Sequence, residues 1–167
     1  MVAPKGDTTR PTADRTREAL FSMLTSRLGS FEGLSVADLF AGSGALGIEA
    51  LSRGAASCLF VEQDRGALDA LGTNLARLGV VGDVRSTSVL ALGPAVAPVD
   101  VMMLDPPYAS GAAAVAIDKL NRLGWISDAT WISVETAATE EIAIAGFATD
   151  TSRTHGKARI TLLRRAA

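Results

Sequence analysis

The chain has 167 residues, of which 48% are hydrophobic and 20% charged, and its formal net charge is −2. This composition predicts one soluble globular domain over residues 1–167. The absence of an apolar run of ~20 residues and the presence of a single cysteine exclude a membrane-spanning helix and an intrachain disulfide, so we expect a cytoplasmic protein without a membrane partner. Nothing in the sequence indicates an obligate interface, and we expect a monomer.

The first third of the chain predicts a helix, a strand and a second helix. Residues 1–12 carry Pro, Gly and Thr without apolar periodicity and predict an extended or disordered segment. Thr12 or Asp14 is expected to cap a helix that carries leucines at i, i+4 and i+8 and ends at Gly29. A buried strand over about 34–40 then enters a Gly-rich turn, and a helix over about 45–53 follows it.

The remaining chain alternates strands with helices. Asp64 is expected to cap a helix that ends at Gly79 and buries one stripe of leucines, namely Leu68, Leu71, Leu75 and Leu78. Further strands are predicted at about 57–62, 83–87, 99–104 and 130–135, with a helix at about 112–123 and a final antiparallel pair at 142–147 and 158–164. The pattern predicts a Rossmann-like α/β fold, in which a mostly parallel seven-stranded sheet has helices on both faces and an antiparallel last strand.

The turn after the first strand is a candidate cofactor loop. Gly42 and Gly44 let the backbone approach a ligand, and the amides that open the next helix favour a carboxylate or phosphate. Glu62, twenty residues after Gly42, completes the dinucleotide fingerprint and can accept hydrogen bonds from both hydroxyls of a ribose. Asp38 would repel the pyrophosphate of NAD but attract an ammonium or sulfonium group, which favours S-adenosylmethionine. A purely structural Gly turn is the alternative.

A second motif, Asp105-Pro106-Pro107-Tyr108, follows a buried strand. The two prolines fix the backbone and remove two donors, which leaves carbonyl acceptors beside the Asp105 carboxylate. These acceptors suit an exocyclic amino group whose N–H bonds point to Asp105 and to the carbonyl of Pro106, while Tyr108 stacks on a flipped-out base. An amino group held in this way turns its lone pair toward a methyl donor. The alternative is a rigid turn without a catalytic role.

These two motifs, together with the segment Arg-Pro-Thr-x-Asp-Arg-x-Arg-Glu-Ala-Leu-Phe at residues 10–21, resemble the RsmD-type enzymes. These are class I S-adenosylmethionine-dependent methyltransferases. The resemblance implies methylation of the exocyclic N2 amino group of a guanine in bacterial 16S ribosomal RNA, either free or in an assembling small subunit. It also implies that Asp105, Pro106, Pro107 and Tyr108 form the catalytic motif.

The resemblance extends to the cofactor and RNA contacts. The cofactor contacts that it implies are Asp38, Phe40, Ala41, Gly42, Ser43, Gly44, Glu62, Gln63 and Ser88, where Ser88 stands at a position that is often Asp or Asn near the adenine. The implied RNA contacts are Arg10, Thr12, Arg15 and Arg17. Five basic and no acidic residues follow position 151, and they form either an electropositive face or a solvated tail. The single histidine, His155, gives no support for a metal site.

Two other functions remain open from the sequence. A DNA adenine-N6 methyltransferase can use the same Asp-Pro-Pro-Tyr chemistry, but such enzymes usually carry a separate target-recognition domain. A non-enzymatic nucleotide-binding domain with a Rossmann-like fold would explain the Gly-rich turn and leave the Asp105 motif unexplained.

Overall fold

A computed structural model of the protein describes residues 10–167 and, for residues 10–12, the backbone alone. The helices are α1 (Arg10–Leu28), α2 (Ala45–Ser52), α3 (Arg65–Leu78) and α4 (Ala112–Arg122), with a 3-10 turn at Val89–Ala91. The strands are β1 (Ser35–Leu39), β2 (Ser57–Glu62), β3 (Asp83–Ser86), β4 (Val101–Leu104), β5 (Trp131–Ala137), β6 (Phe147–His155) and β7 (Ala158–Arg165). Among the described residues, no helix combines the length and apolar character needed to cross a bilayer.

All seven strands belong to one sheet with the order β3-β2-β1-β4-β5-β7-β6. Strands β1 to β5 run parallel, whereas β7 is antiparallel to both of its neighbours, β5 and β6. The prediction of a mostly parallel seven-stranded sheet with an antiparallel last strand is therefore confirmed. The chain moves outward from β1 to β3 on one side and resumes at β4 on the other. Ligands of open α/β sheets bind at such a switch point, outside the carboxyl ends of the strands. We call this side of the sheet the carboxyl edge.

Apolar side chains fill both faces of the sheet. On one face, Phe21 of α1 packs in the same cluster as Phe60 of β2 and Met103 of β4. On the other face, Ile117 of α4 packs in the same cluster as Leu104 of β4. All five side chains are fully buried, which fixes the strand ends that carry the polar residues described below.

The start of α1 differs from the prediction. The helix begins at Arg10, so neither Thr12 nor Asp14 is its cap, and Asp14 instead forms an ion pair with Arg17 at 3.1 Å. The predicted extended segment overlaps this helix at residues 10–12, and residues 1–9 lie outside the described part of the chain. The helix ends at Leu28, just before Gly29, as predicted.

Two further predictions about packing are corrected. The strand predicted at 142–147 is observed as β6 at Phe147–His155. Ile144 fills the core from the loop before it, and the polar, largely exposed residues of β6 form the outermost strand of the sheet. The leucine stripe of α3 is also incomplete: Leu78 is 55% exposed, and the polar Asn74 is buried in its place. Asp64 does cap α3, since its carboxylate accepts from the amide of Ala67 at 2.9 Å.

Substitution of Gly47 by alanine should destabilise the fold. A Cβ at this position would lie 2.6 Å from Sγ of Cys58 and would overlap the ring of Phe60, both in the core of β2. We expect a loss of about 1–3 kcal/mol in the free energy of unfolding, measured by urea denaturation.

Gly72→Ala is the matched control, because a Cβ at Gly72 in α3 meets nothing within 4 Å. This substitution should stabilise the helix by about 0.5–1 kcal/mol. Equal stability of the two variants would contradict the close packing at Gly47.

Candidate active site

Four carboxylates line the carboxyl edge of the sheet. In the strand register, Met103 of β4 lies between Asp38 of β1 and Ser133 of β5, and Asp38 also pairs with Phe60 of β2. A residue two positions further along a strand points to the same face. The carboxylates that share this face are therefore Asp38, Glu62, Asp105 and Glu135.

The turn at residues 40–44, here called the Gly loop, has an unusual backbone. Phe40, Gly42 and Gly44 have φ angles of 60°, 58° and 86°, in the left-handed region. Phe40 is not a glycine, so this angle stores strain of the kind that clusters at functional sites. A Cβ at Gly44 would overlap Leu71, whereas a Cβ at Gly42 would meet nothing within 4 Å. Gly44 is thus required for packing, and Gly42 faces open space.

Glu62 holds the Gly loop in place. Its Oε1 accepts from the amide of Gly42 at 2.8 Å, and its Oε2 accepts from the amides of Gln63 and Asp64 at 2.9 and 2.8 Å. A carboxylate has roughly four acceptor positions. Three of them are filled, so one position at Oε1 is left for a ligand. The sequence predicted that Glu62 can accept hydrogen bonds from both hydroxyls of a ribose, whereas these three contacts leave an acceptor position for one.

Asp38 is buried under the other end of the loop. Its Oδ2 accepts from the amide of Gly47, the third residue of α2, at 2.9 Å, and its Oδ1 finds no donor among the described residues. Burial raises the pKa of Asp38 well above its ordinary value, and the charges of Asp105 and Glu62 raise it further. A cationic ligand near Oδ1 would relieve both effects.

Asn74 is a residue of the site that the sequence reasoning missed. It is buried on α3, and its side-chain amide donates to the carbonyl of Ser43 in the Gly loop at 3.0 Å. The sequence does contain a signal for this contact. Asn74 follows Leu71 by three residues and so lies on the buried face of the helix, where a polar side chain needs a hydrogen-bond partner.

Asp105 and Glu135 form a neighbouring pair at the ends of β4 and β5. Leu104 pairs with Val134, so the next residues lie side by side on strands about 4.8 Å apart. Asp105 has access to solvent, yet the packed strand ends around it raise its pKa to about 6. Burial raises the pKa of Glu135 to about 8, and the charge of Asp105 contributes. Glu135 was predicted only as the end of a strand.

The Asp105 motif continues as an ordered turn. Pro106 is buried and Tyr108 is 53% exposed, which leaves the ring accessible for stacking. The hydroxyl of Ser110 donates to the carbonyl of Pro107 at 2.7 Å. The carbonyl of Pro106 is the one that the sequence predicted to accept the second N–H of the target amino group. Burial, followed by the charges of Glu135 and Asp105, raises the pKa of Tyr108.

A cavity of about 130 Å³ opens beside this turn. Its wall includes both prolines of the motif, the start of α4 and three carboxylates, Glu135, Glu140 and Glu141. Glu140 supports the turn, since its Oε1 accepts from the amide of Ala109 at 3.1 Å. Ala109 has a φ of 55°, a second strained position at the carboxyl edge.

The other predicted contacts are placed as follows. Ser88 follows β3 at the same edge, where its hydroxyl accepts from the amide of Leu90 at 3.2 Å. Arg15 is exposed on α1, and Arg17 pairs with Asp14 at 3.1 Å and with Glu49 at 3.8 Å. The side chains of the predicted contacts Arg10 and Thr12 lie outside the described residues.

The basic residues near the C-terminus divide between the two edges of the sheet. Arg164 stacks 4.6 Å from the ring centroid of Trp131, and Arg165 pairs with Asp128 at 3.2 Å, both at the edge where β5 begins. Lys157 lies in the β6–β7 hairpin at the carboxyl edge, where its carbonyl accepts from the amide of Ala138 at 2.8 Å. Arg164 and Arg165 thus have structural contacts at the edge opposite the site. The exposed basic residues of the hairpin, Arg153 and Lys157, lie toward the carboxyl edge.

Comparison with known proteins identifies relatives of the whole chain. The family model described as "Conserved hypothetical protein 95" matches residues 1–164. Ribosomal RNA small subunit methyltransferase D of Escherichia coli (strain K12) is 39% identical over 137 residues, which cover 81% of this chain and 68% of that protein.

Solved structures share the fold. The Escherichia coli protein yhhF is 33% identical with a TM-score of 0.84, covering 100% of this chain and 92% of that one. Magnesium protoporphyrin IX methyltransferase (ChlM) from Synechocystis PCC 6803, solved with bound SAM, has a TM-score of 0.72 at 16% identity. It covers 94% of this chain and 81% of that one, and at this identity the likeness concerns the fold alone.

The pair of carboxyl groups predicts a pH dependence of stability. The pKa of Glu135 rises from an ordinary 4.5 to about 8 in the folded protein, so between these values the folded state binds more protons than the unfolded state. This group therefore makes the free energy of unfolding fall as the pH rises. Glu135→Gln removes the group and should flatten the decline between about pH 5 and about pH 8, measured by urea denaturation.

The exposed Glu141, converted to Gln, serves as the control and should leave the pH profile unchanged. A Glu135→Gln profile parallel to that of the wild type would show that Glu135 does not titrate in this range.

Proposed function

The chain belongs to the RsmD-type methyltransferase family, and on this premise we propose that it transfers a methyl group from S-adenosylmethionine to the exocyclic N2 amino group of a guanine in bacterial 16S ribosomal RNA. The observation that carries the proposal is the row of four carboxylates beside the Gly loop, with Asp105 next to two prolines and an accessible tyrosine. The name of the Escherichia coli relative supports ribosomal RNA as the substrate class.

The described residues fit S-adenosylmethionine as the cofactor. Its ammonium and sulfonium groups are cationic, and the buried Oδ1 of Asp38 has no donor among the described residues. Gly42 faces open space along which a ligand can approach the backbone, and Glu62 keeps one acceptor position for a ribose hydroxyl. The negative row would repel the pyrophosphate of NAD. The full set of proposed contacts is Asp38, Phe40, Ala41, Gly42, Ser43, Gly44, Glu62, Gln63 and Ser88.

The proposed chemistry depends on holding a weak nucleophile. The cofactor supplies an electrophilic methyl group. The Asp105 carboxylate accepts one N–H of the guanine amino group, and the carbonyl of Pro106 accepts the other, which directs the nitrogen lone pair away from both. Tyr108 stacks on the base from its exposed position. In-line positioning of this kind supplies much of the rate enhancement in bimolecular reactions.

Asp105 also has the charge that the reaction needs. With a pKa of about 6, Asp105 is largely ionised at neutral pH, whereas desolvation and the charge of Asp105 raise the pKa of Glu135 to about 8. The Asp105 carboxylate can therefore balance the positive charge that develops on the amino nitrogen and can accept its proton afterwards. Desolvation by the packed strand ends raises both pKa values, and the charge of Asp105 adds to the rise at Glu135.

The RNA contacts require positive charge around a negative site. Arg15 is exposed on α1, and the β6–β7 hairpin adds the exposed Arg153 and Lys157. These side chains can bind phosphates on either side of the carboxylate row and draw one base toward Asp105. We include Arg10, Thr12 and Arg17 as further RNA contacts. The proposed substrate is free 16S rRNA or the assembling small subunit, which is cytoplasmic, and we expect the enzyme to act as a monomer.

A methylation assay with three substrates tests the proposed function. The protein is incubated with methyl-labelled S-adenosylmethionine and with small-subunit rRNA, assembling small subunits or DNA, and the products are hydrolysed to nucleosides. We expect label in N2-methylguanosine from one of the two ribosomal substrates. Asp105→Ala should lower the single-turnover rate by about 10²-fold or more, since positioning and proton transfer are both lost.

The same assay separates the alternatives. N6-methyladenine in DNA would identify a DNA adenine methyltransferase, and the absence of any methylated nucleoside would favour a non-enzymatic domain. Asp105→Asn should retain more activity than Asp105→Ala and less than the wild type, because its amide oxygen still accepts one hydrogen bond but carries no charge.

A further inference from the structure

Glu135 is a neighbour of Asp105 at the carboxyl edge of the sheet. The two residues follow a register pair of neighbouring parallel strands, point to the same face and are about 4.8 Å apart along the sheet. Glu135 also lines the cavity that the prolines of the Asp105 motif border. The methyl-transfer chemistry proposed above gives Glu135 no contact of its own with the base.

Guanine and adenine differ in the atoms that they would present to this pair. On its Watson–Crick edge guanine carries two adjacent donors, the N2 amino group and N1–H. Adenine carries one amino donor, and its N1 is an acceptor. Two adjacent carboxyl groups match two adjacent donors, whereas an acceptor facing a carboxylate is repelled and leaves a polar group without its hydrogen bond.

We propose that Glu135 accepts the N1–H of the target base while Asp105 holds the neighbouring N2 amino group, so that Glu135 selects guanine. This inference rests on the proposed function, and it adds a residue for base specificity. Glu135 is a positioning residue for the base and is distinct from the group that receives the reacting proton.

The neighbouring carboxylates do not offer the same contact. Glu140 uses one oxygen to support the turn after Tyr108, through the amide of Ala109. Glu141 lines the same cavity but is exposed and stands outside the strands. Glu135 is partly buried near the end of β5, where it pairs with Ile160 of β7 and directly follows the register pair of Leu104 and Val134, so its backbone is held beside that of Asp105.

The protonation of Glu135 leaves an acceptor in either state. As a carboxylate it accepts N1–H with one oxygen. As a neutral carboxyl, which its pKa of about 8 favours at neutral pH, it accepts N1–H through the carbonyl oxygen and can donate its O–H to O6 of guanine. The approach of a donor to the carboxylate favours the ionised form and lowers that pKa.

A base analogue tests the inference. 2-Aminopurine keeps the amino group at C2, but its N1 is an acceptor and it lacks O6. Once the methylated guanine has been mapped, 16S rRNA is ligated with guanine or 2-aminopurine at that position, assembled into subunits and assayed at about pH 8.5, where an ionised carboxylate can only accept. The wild type should methylate guanine about tenfold faster or more.

Glu135→Gln should bring the two rates close together, because the amide can accept from N1–H of guanine and can donate to N1 of 2-aminopurine. Glu141→Gln makes the same change of charge at the exposed side of the cavity and should keep the wild-type ratio. Glu135→Ala, a second variant with no hydrogen-bonding group, should also lose the ratio, through slower methylation of guanine. Thermal unfolding of each variant verifies that it is folded.

The outcomes are distinct. A wild-type ratio retained in Glu135→Gln and Glu135→Ala, or equal wild-type rates on the two bases, would overturn the role of Glu135 while leaving the proposed function intact. If the wild type methylates no guanine in either ribosomal substrate, the proposed function fails and this inference fails with it.

Discussion

The site depends on the hydrogen bonds between two strand-end carboxylates and the backbone amides of the Gly loop. Glu62 accepts the amide of Gly42 and two amides that follow β2, and Asp38 accepts the amide of Gly47 as α2 begins. Hydrogen bonds to a charged group contribute about 1.5–3 kcal/mol each, enough to hold the loop in its left-handed conformation. The same bonds fix the remaining acceptor position of Glu62 and the buried Oδ1 of Asp38, which has no donor among the described residues and can face a cationic group.

Desolvation by the packed strand ends raises the pKa values of Asp38, Asp105 and Glu135, and repulsion by neighbouring carboxylates raises those of Asp38 and Glu135 further. The arrangement suits a cationic cofactor and a base edge rich in N–H donors, because both reduce the repulsion. It does not suit a phosphate backbone. Exposed basic residues on α1 and on the β6–β7 hairpin are the contacts that we propose for the phosphates of a polyanion.

The sequence predicted the parallel sheet and the motif positions because each has a local signal. Glu62 ends an apolar run, Asp64 begins a helical pattern, and the prolines follow directly on Asp105. The contact of Asn74 with the Gly loop and the proximity of Glu135 to Asp105 were not predicted, because each depends on a partner distant in the chain, the carbonyl of Ser43 and the neighbouring strand end. The predicted start of β6 was wrong for a different reason, because a polar edge strand shows no apolar periodicity in its sequence.

We assign cofactor binding to the Gly loop and Glu62, and the action on the base to Asp105. Isothermal titration of the wild type, Glu62→Ala and Asp105→Ala with S-adenosylmethionine separates these two roles. We expect a loss of affinity of about tenfold or more in Glu62→Ala, which removes a charged acceptor and the anchor of the loop, and nearly unchanged affinity in Asp105→Ala. Unchanged affinity in Glu62→Ala, or tight binding of NAD by the wild type, would contradict this assignment.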